Sequence, residues 1–278
     1  MRARRSLVLA AIATSLLFGG FLFNERFHLL EYEKLGSSFG SIHKALGVDK
    51  VQSSTPENED RLLPDRIVVI GRLSSEDTSW VANELTDWQN AVYTVDDEHA
   101  ELRTAMNKGR EANPYLTYLV THYESLPSIM VFLHSHRNGW PGGWHTDAPN
   151  YDNVVSVRRL NTDFVRSNGY ANLRCNHNPG CPEEIRPLRN ATESDARSKT
   201  EEAFPGAWLE LFGNNEVPEV IATPCCAQFA VSREQVLQRP LKDYRRYLDW
   251  IEQTPLEDAT AGRVFEYLWH IIFGRNSV

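Results

Sequence analysis

An open, mostly parallel α/β sheet flanked by helices is the fold the sequence predicts, and two observations carry it. The stretch Ile129–Leu133 is uninterruptedly apolar and ends abruptly in His134-Ser135-His136. A strand buried on both faces reads this way, and functional groups in open α/β sheets gather at strand C-terminal ends. Upstream of it, short apolar runs alternate with stretches of helical period, the alternation of a parallel sheet wound with helices.

Arg66–Gly71 is the first strand. Glu76–Trp88 follows as a helix, with Trp80, Val81, Leu85 and Trp88 recurring at helical spacing. Ala91–Val95 is a second strand running into Asp96-Asp97. Asn107-Lys108-Gly109 is a turn, and Tyr115–Tyr123 is a helix with Leu116, Leu119 and Val120 on one side. Then comes the strand Ile129–Leu133. Beyond His145 the pattern loosens. Asn153–Arg166 reads as one helix, Arg174–Arg189 as loop, and Ala207–Phe212 and Gln228–Val231 as short apolar elements. Ser232–Gln238, Leu241–Gln253 and Ala261–Phe273 read as helices, the last turning Val264, Leu268, Ile271 and Ile272 toward the core. No internal repeat interrupts this order.

The N-terminus is of another kind. Met1-Arg-Ala-Arg-Arg5 precedes an uncharged, mostly apolar stretch, Ser6–Phe23. That length falls within the spanning range of about 17–25 residues. The basic flank before it and Glu25, Glu31 and Glu33 after it would leave the N-terminus in the cytosol by the positive-inside rule. A cleaved signal peptide is the rival reading, with a long apolar run for one. Three regions result: an N-terminal transmembrane anchor over 1–23, a stalk over 24–65 and an α/β domain over 66–275. The side of the membrane stays open. The net charge of −8 argues against a protein that coats DNA or other nucleic acid through a general basic surface. Asn190-Ala-Thr192 is a glycosylation acceptor triplet, meaningful only in a lumenal or secreted domain.

Several clusters can carry chemistry. Asp96 and Asp97 leave a buried strand, with Glu98 and Glu101 behind them; acids at a strand end can hold a ribose, a divalent metal or a cationic group, or be a solvated acidic loop. His134 and His136 share one side of an extended chain, and His145 follows in the loop Trp140-Pro-Gly-Gly-Trp144. They can wall a substrate pocket or move protons, and their spacing is not a zinc signature. Glu266 and His270 lie i, i+4 on the last helix, as a structural hydrogen bond or as a general base and its orienter. Arg239, Lys242 and Arg246 form one basic stripe, either a solvated face or a phosphate contact. Cys175, Cys181, Cys225 and Cys226, with His177, can form two disulfides or a zinc site, and a vicinal pair rarely bonds to itself without strain.

Glu76-Asp-Thr-Ser-Trp80, Val95-Asp-Asp97, Asn107-Lys-Gly-Arg-Glu111, Phe132-Leu-His-Ser-His136, Asn172-Leu-Arg-Cys175, Cys225-Cys-Ala-Gln-Phe-Ala-Val-Ser-Arg233 and Gly262–His270 together resemble a large fungal domain-of-unknown-function family. Some of its members are arginine-containing cyclodipeptide synthases. The resemblance covers roughly residues 66–275. It implies an enzyme of secondary metabolite biosynthesis, without cofactor and with no metal-binding residues assigned, that joins arginine from arginyl-tRNA to the amino acid of a second aminoacyl-tRNA and releases a cyclo(Arg-Xaa) dipeptide. It also implies an Asp-Asp-x-x-Glu motif needed for activity. Asp96-Asp97 match its first two positions, Ala100 stands at the fifth, and Glu101 follows one residue later. On this reading Asp96 and Asp97 receive the arginine guanidinium and Glu101 assists or acts as base. Glu266 and His270 support catalysis, His134 and His136 wall the pocket, and Arg239, Lys242 and Arg246 meet tRNA phosphates. The order of elements also resembles a membrane-anchored GT-A-type glycosyltransferase, in which His134-Ser135-His136 stands where a metal-binding Asp-x-Asp would be.

Overall fold

The protein is described from a computed structural model covering residues 65–176, 183–189 and 196–278. The anchor, nearly all of the stalk, His177, Cys181 and Asn190 lie outside the described residues. From the N-terminal side, β1 (Arg66–Arg72), α1 (Ser79–Glu84), β2 (Gln89–Thr94), α2 (Ala112–His122) and β3 (Ile129–His134) follow in the alternation read from the sequence. Next come α3 (Asn153–Arg158), α4 (Thr162–Asn168), β4 (Tyr170–Asn172) and β5 (Glu183–Ile185). The chain continues with α5 (Ala196–Phe212), β6 (Ile221–Thr223), β7 (Phe229–Ser232), α6 (Arg233–Leu237), α7 (Leu241–Gln253) and α8 (Asp258–Ile272).

A five-stranded sheet in the order β2-β1-β3-β7-β4 is the centre of this mixed α/β fold. β2, β1 and β3 run parallel, and β7 runs antiparallel to both β3 and β4. Because β1 lies between β2 and β3, the chain leaves β1 toward one side and returns on the other. This makes the C-terminal edge between β1 and β3 the crevice where open sheets place ligands. β5 and β6 pair separately.

The apolar runs of β1 and β3 follow from burial on both faces. Ile67, Val69, Met130 and Phe132 pack beneath α2, α5, α7 and α8, together with Tyr115, Leu119, Phe204, Tyr244 and Trp269. Val68, Ile70, Val131 and Leu133 face the opposite way, against Trp80, Val81, Val154, Val157 and Val165. Period-two alternation thus divides one apolar run between two cores. Tyr115, Phe132, Phe229 and Trp269 interlock, with centroids 4.9 Å apart for Tyr115–Phe132 and Phe132–Phe229 and 5.3 Å for Phe229–Trp269.

Four expectations change. The helix read over 76–88 shortens to α1, because Glu76 accepts from the Leu73 N–H at 2.7 Å and closes the loop instead. The single helix over 153–166 is two, because the Asn161 side chain accepts from the Phe164 N–H at 3.0 Å and starts α4 afresh. Ala207–Phe212 is the end of the longer α5, which passes through Pro205-Gly206 because Phe204, Trp208 and Leu211 bury. The region read as loop over 174–189 contains β5, whose Ile185 pairs with Ile221. Beyond α8 the chain is held to β6, where the Ala222 N–H donates to the Ser277 carbonyl.

Gly71 decides how closely α2 approaches the sheet. It pairs in register with His134, and a Cβ built on it would stand 2.4 Å from Cγ of Pro114. Its hydrogen side chain lets the first turn of α2 sit against the end of β1. Gly71→Ala is therefore expected to cost about 1–3 kcal/mol through overpacking, read as a melting temperature lower by roughly 2–4 °C per kcal/mol.

Candidate active site

A cavity of about 450 Å³ opens at the C-terminal edge of β3. His134 and His136 line it from the strand end, Trp144 and His145 from the following loop, Glu111 and Arg110 from the start of α2, Arg263, Glu266 and Trp269 from α8, and Cys225, Cys226 and Ala227 from the loop before β7. A second cavity of about 360 Å³ lies toward the end of β1, lined by Gly71, Arg72, Glu76, Val95 and Asn107. Arg110, Glu111, His134 and His136 line both, so they form the wall between two chambers.

Local sequence explains how these groups meet. Gly109 and Arg110 both take left-handed backbone, φ 76° and 50°, turning the chain sharply into α2. The Asp258 carboxylate at the start of α8 accepts from the Gly109 N–H at 2.6 Å, tying the two helix starts together. Gly262 lets α8 approach the Gly109 carbonyl, which a Cβ there would meet at 3.1 Å. On the other side, the fully buried Gln228 accepts from the His134 N–H at 2.9 Å and donates to the His145 carbonyl at 2.8 Å. It also meets Asn153, which donates to the His136 carbonyl at 2.8 Å. Trp80 donates its indole N–H to the Ser135 carbonyl at 3.1 Å. The backbone of His134-Ser135-His136 is thus held from three elements.

The rings are close enough to share a proton. His134 Nδ1 and His145 Nδ1 are 3.1 Å apart, so only one of the two facing nitrogens can carry hydrogen. Burial, aided by the neighbouring His134, His136 and Arg174, pushes His145 down to about 3, which leaves it neutral at pH 7. His134 Nε2 faces Glu111 at 3.7 Å. Glu266 is raised above the ordinary carboxylate range, chiefly by burial, with Glu111 adding to the shift and the Cys226 N–H and Arg263 opposing it. The Cys226 N–H reaches Glu266 at 2.7 Å. His134 Nε2 and Trp269 Nε1 are buried with no hydrogen-bond partner among the described residues. Such groups are costly unless a ligand satisfies them.

This arrangement offers an elevated carboxylate as base, a second carboxylate for a cation, histidines for proton movement and an unpaired indole donor. Among the described residues, no group of three or more His, Cys, Asp or Glu side chains is placed to hold a metal ion.

The residues singled out from sequence divide. His134, His136 and Glu266 come together in the first cavity. His270, one turn beyond Glu266, does not line it; it is buried elsewhere along α8, and burial pushes it down to about 4. Asp96 and Asp97 lie outside both chambers. Asp96 accepts from the Ser74 N–H at 2.7 Å and from its hydroxyl at 3.1 Å, and Asp97 accepts from the His99 N–H at 2.9 Å. Asp96 thereby fixes the loop whose neighbours Leu73 and Val95 line the second chamber. Glu101 is exposed and lines neither. The basic stripe lines neither as well: Arg239, just before α7, donates to the Ile272 carbonyl, Arg246 to the Leu211 carbonyl, both lie near Asp243, and Lys242 is exposed. Cys225 and Cys226 are bonded to each other, and Cys175 is free and exposed. Glu111 is the acid that sequence reasoning assigned no role; its one signal was a place two residues after the Asn107-Lys108-Gly109 turn, and the structure starts α2 just behind it. Among the described residues no helix is long and apolar enough to cross a membrane.

Residues 68–278 match the model of the family described as "Protein of unknown function (DUF3431)", and the chain belongs to that family. The family's description names no activity, and nothing in it points to cyclodipeptide synthases or to fungi. No curated protein and no solved structure matches the chain.

Two effects on stability result. The unfolded chain binds protons on His145 and His270 below about pH 6.5 while the folded one does not, so stability falls as pH drops from about 6.5 and levels off near pH 3–4. His270 alone contributes about 3 kcal/mol of that loss, checked by denaturant titrations across this range. Glu266, raised in the folded state, acts oppositely and costs stability as pH rises through its folded value. Glu266→Gln keeps an oxygen for the Cys226 N–H and removes the charge, so it is expected to stabilise the protein at pH 7 by about 1 kcal/mol.

Proposed function

We propose that this member of a family without an assigned activity is a tRNA-dependent cyclodipeptide synthase that joins arginine to a second amino acid. The observation that carries the reading is the pairing of Glu111 and Glu266 in one cavity at the sheet's C-terminal edge, with histidines between two adjoining chambers. An aminoacyl ester is already activated, so the enzyme has to hold two aminoacyl groups, remove a proton from an α-amine and steady an oxyanion.

Glu111 offers its carboxylate to the guanidinium, whose planar donors suit it. Glu266, raised by burial, takes the proton as the amine forms the C–N bond and the ester C–O bond to the ribose breaks. Trp269 Nε1 supplies a donor to the developing oxyanion. The first ribose oxygen leaves as a hydroxyl with the proton from Glu266; the α-amine of the transferred residue then attacks the remaining ester carbonyl, the second ester C–O bond breaks, and the ring closes as the amine's proton passes to the departing second ribose oxygen. His134, between His145 and Glu111, passes protons between the chambers. Asp96 is a positioning residue here, acting through the Ser74 loop, and Asp97 turns the chain after it through the His99 N–H. Membrane attachment through residues 1–23 belongs to the same proposal.

A GT-A-type glycosyltransferase is the second reading. The sheet favours it, with one antiparallel strand beside β3 and His134-Ser135-His136 leaving that strand into the cavity. The histidines there are a weaker match than acids for a metal-bound sugar nucleotide.

Expression of the full chain in a microbial host is expected to add an arginine-containing cyclic dipeptide to the medium, detected by mass spectrometry, and ribonuclease is expected to abolish its formation in lysate. Glu266→Gln and Glu111→Gln are expected to lower the yield by about a hundredfold or more. No such product, with manganese-stimulated hydrolysis of a sugar nucleotide instead, would replace this reading with the second.

A separate comparison assigns Asp96. Asp96→Asn, which can still accept from Ser74, is expected to keep most of the output, and Asp96→Ala to lose most of it. Equal and complete loss in both would make Asp96 a substrate ligand.

A further inference from the structure

The structure assigns a reversible thiol–disulfide modification site to the cavity wall, in which the vicinal pair Cys225–Cys226 sets whether a backbone N–H is delivered to Glu266. The two cysteines are adjacent in sequence and bonded, and both line the cavity though little of either is exposed. Cys226 and Ala227 take left-handed backbone, φ 87° and 49°, where residues with a Cβ are uncommon. A ring closed through neighbouring residues restrains the peptide between them and the chain that leaves it. In this conformation the Cys226 N–H points at Glu266 Oε1, 2.7 Å away. Two residues later the same loop supplies Gln228, which holds His134 and His145. The oxidised pair therefore stands at the start of the segment that orders both the base and the histidines.

Opening the ring removes that restraint. The chemistry needs a dithiol reductant. One of its thiolates attacks a cysteine sulfur, the S–S bond breaks, and the departing cysteine thiolate takes a proton. The reductant's second thiol then attacks the mixed disulfide, releasing the other cysteine as a thiol and leaving the reductant as its own cyclic disulfide. Two electrons and two protons reach the protein. Cys226 is then free to leave left-handed backbone, and its N–H withdraws from Glu266. Glu266 loses a hydrogen bond that opposes its desolvation, so more of it is protonated at neutral pH and less is available as base. The consequence for catalysis rests on the synthase reading; the thiol chemistry does not.

The test uses the full chain, purified without reductant. N-ethylmaleimide followed by peptide mass spectrometry is expected to label Cys175 and to leave Cys225 and Cys226 unlabelled. After dithiothreitol both are expected to label, and phenylarsine oxide, which bridges paired thiols, is expected to add one equivalent to the wild type and none to Cys225→Ser/Cys226→Ser. Tryptophan fluorescence, with Trp144 and Trp269 in the cavity wall, is expected to change on reduction and to return on reoxidation in the wild type only. Labelling of the pair before reduction, its failure to label afterwards, or an equal fluorescence response in the double variant would overturn the site. Cyclic dipeptide output is expected to fall on reduction, with its pH profile moved to higher pH. An output and profile unchanged between the two forms would overturn the link to Glu266. Absence of product in both forms, with the thiol results as expected, would overturn the synthase reading alone.

Discussion

The side chain of Gln228 is the constraint on which the site depends. It is fully buried, and its amide is engaged with the His134 N–H, the His145 carbonyl and Asn153. A primary amide is one of few groups that can both accept and donate at that spot. It ends the β3 strand without leaving backbone groups unpaired, and it pulls the Trp144-His145 loop back over the strand end. Without it, two buried backbone groups would be orphaned, and His145 would lose the anchor that places its ring 3.1 Å from that of His134.

Around that seam, stability and chemistry pull in different directions. The aromatic set of Tyr115, Phe132, Phe229 and Trp269 makes a dense apolar floor beneath the cavity. Burial at the cavity raises Glu266 and lowers His145. A carboxylate held above its usual range and an imidazole held neutral are destabilising features unless something uses them. The loop from Cys225 to Gln228 adds left-handed backbone at two non-glycine residues. Such features concentrate where a fold gives up stability for placement, and here they surround one cavity.

The acids show how far sequence patterns reach. Asp96-Asp97 stood out because two carboxylates follow a buried strand, and that placement is correct. Asp96, however, spends both oxygens on Ser74, Asp97 accepts from the His99 N–H, and they lie outside both chambers. Glu111, read only as the end of the Asn107-Lys-Gly-Arg-Glu111 motif, received no site role. It reaches the cavity only because Gly71 admits Pro114, Gly109 fits against Ile251 of α7 and Gly262 lets α8 approach the Gly109 carbonyl. Likewise the basic stripe follows helical spacing, yet Arg239 and Arg246 are used by carbonyls and by Asp243 within the fold.

The sequence by itself determined the class of fold, the parallel core of β1, β2 and β3, and the sheet edge at which the cavity opens. Apolar runs report burial on both faces, and period reports helix or strand; both are local properties of the chain. It also determined His134, His136 and Glu266 as residues to watch, from a strand end and a helix spacing. Only the tertiary structure decided which acids share the cavity, that Cys225 bonds Cys226, and that β7 enters the sheet antiparallel between β3 and β4. The shared acids and the strand order depend on contacts between segments far apart in the chain, such as Glu111 with His134 and Cys226 with Glu266, and on which glycines permit close approach, whereas the bond between the neighbouring cysteines depends on the backbone their loop adopts. No local pattern encodes such distances, because they are set by how whole helices pack on the sheet.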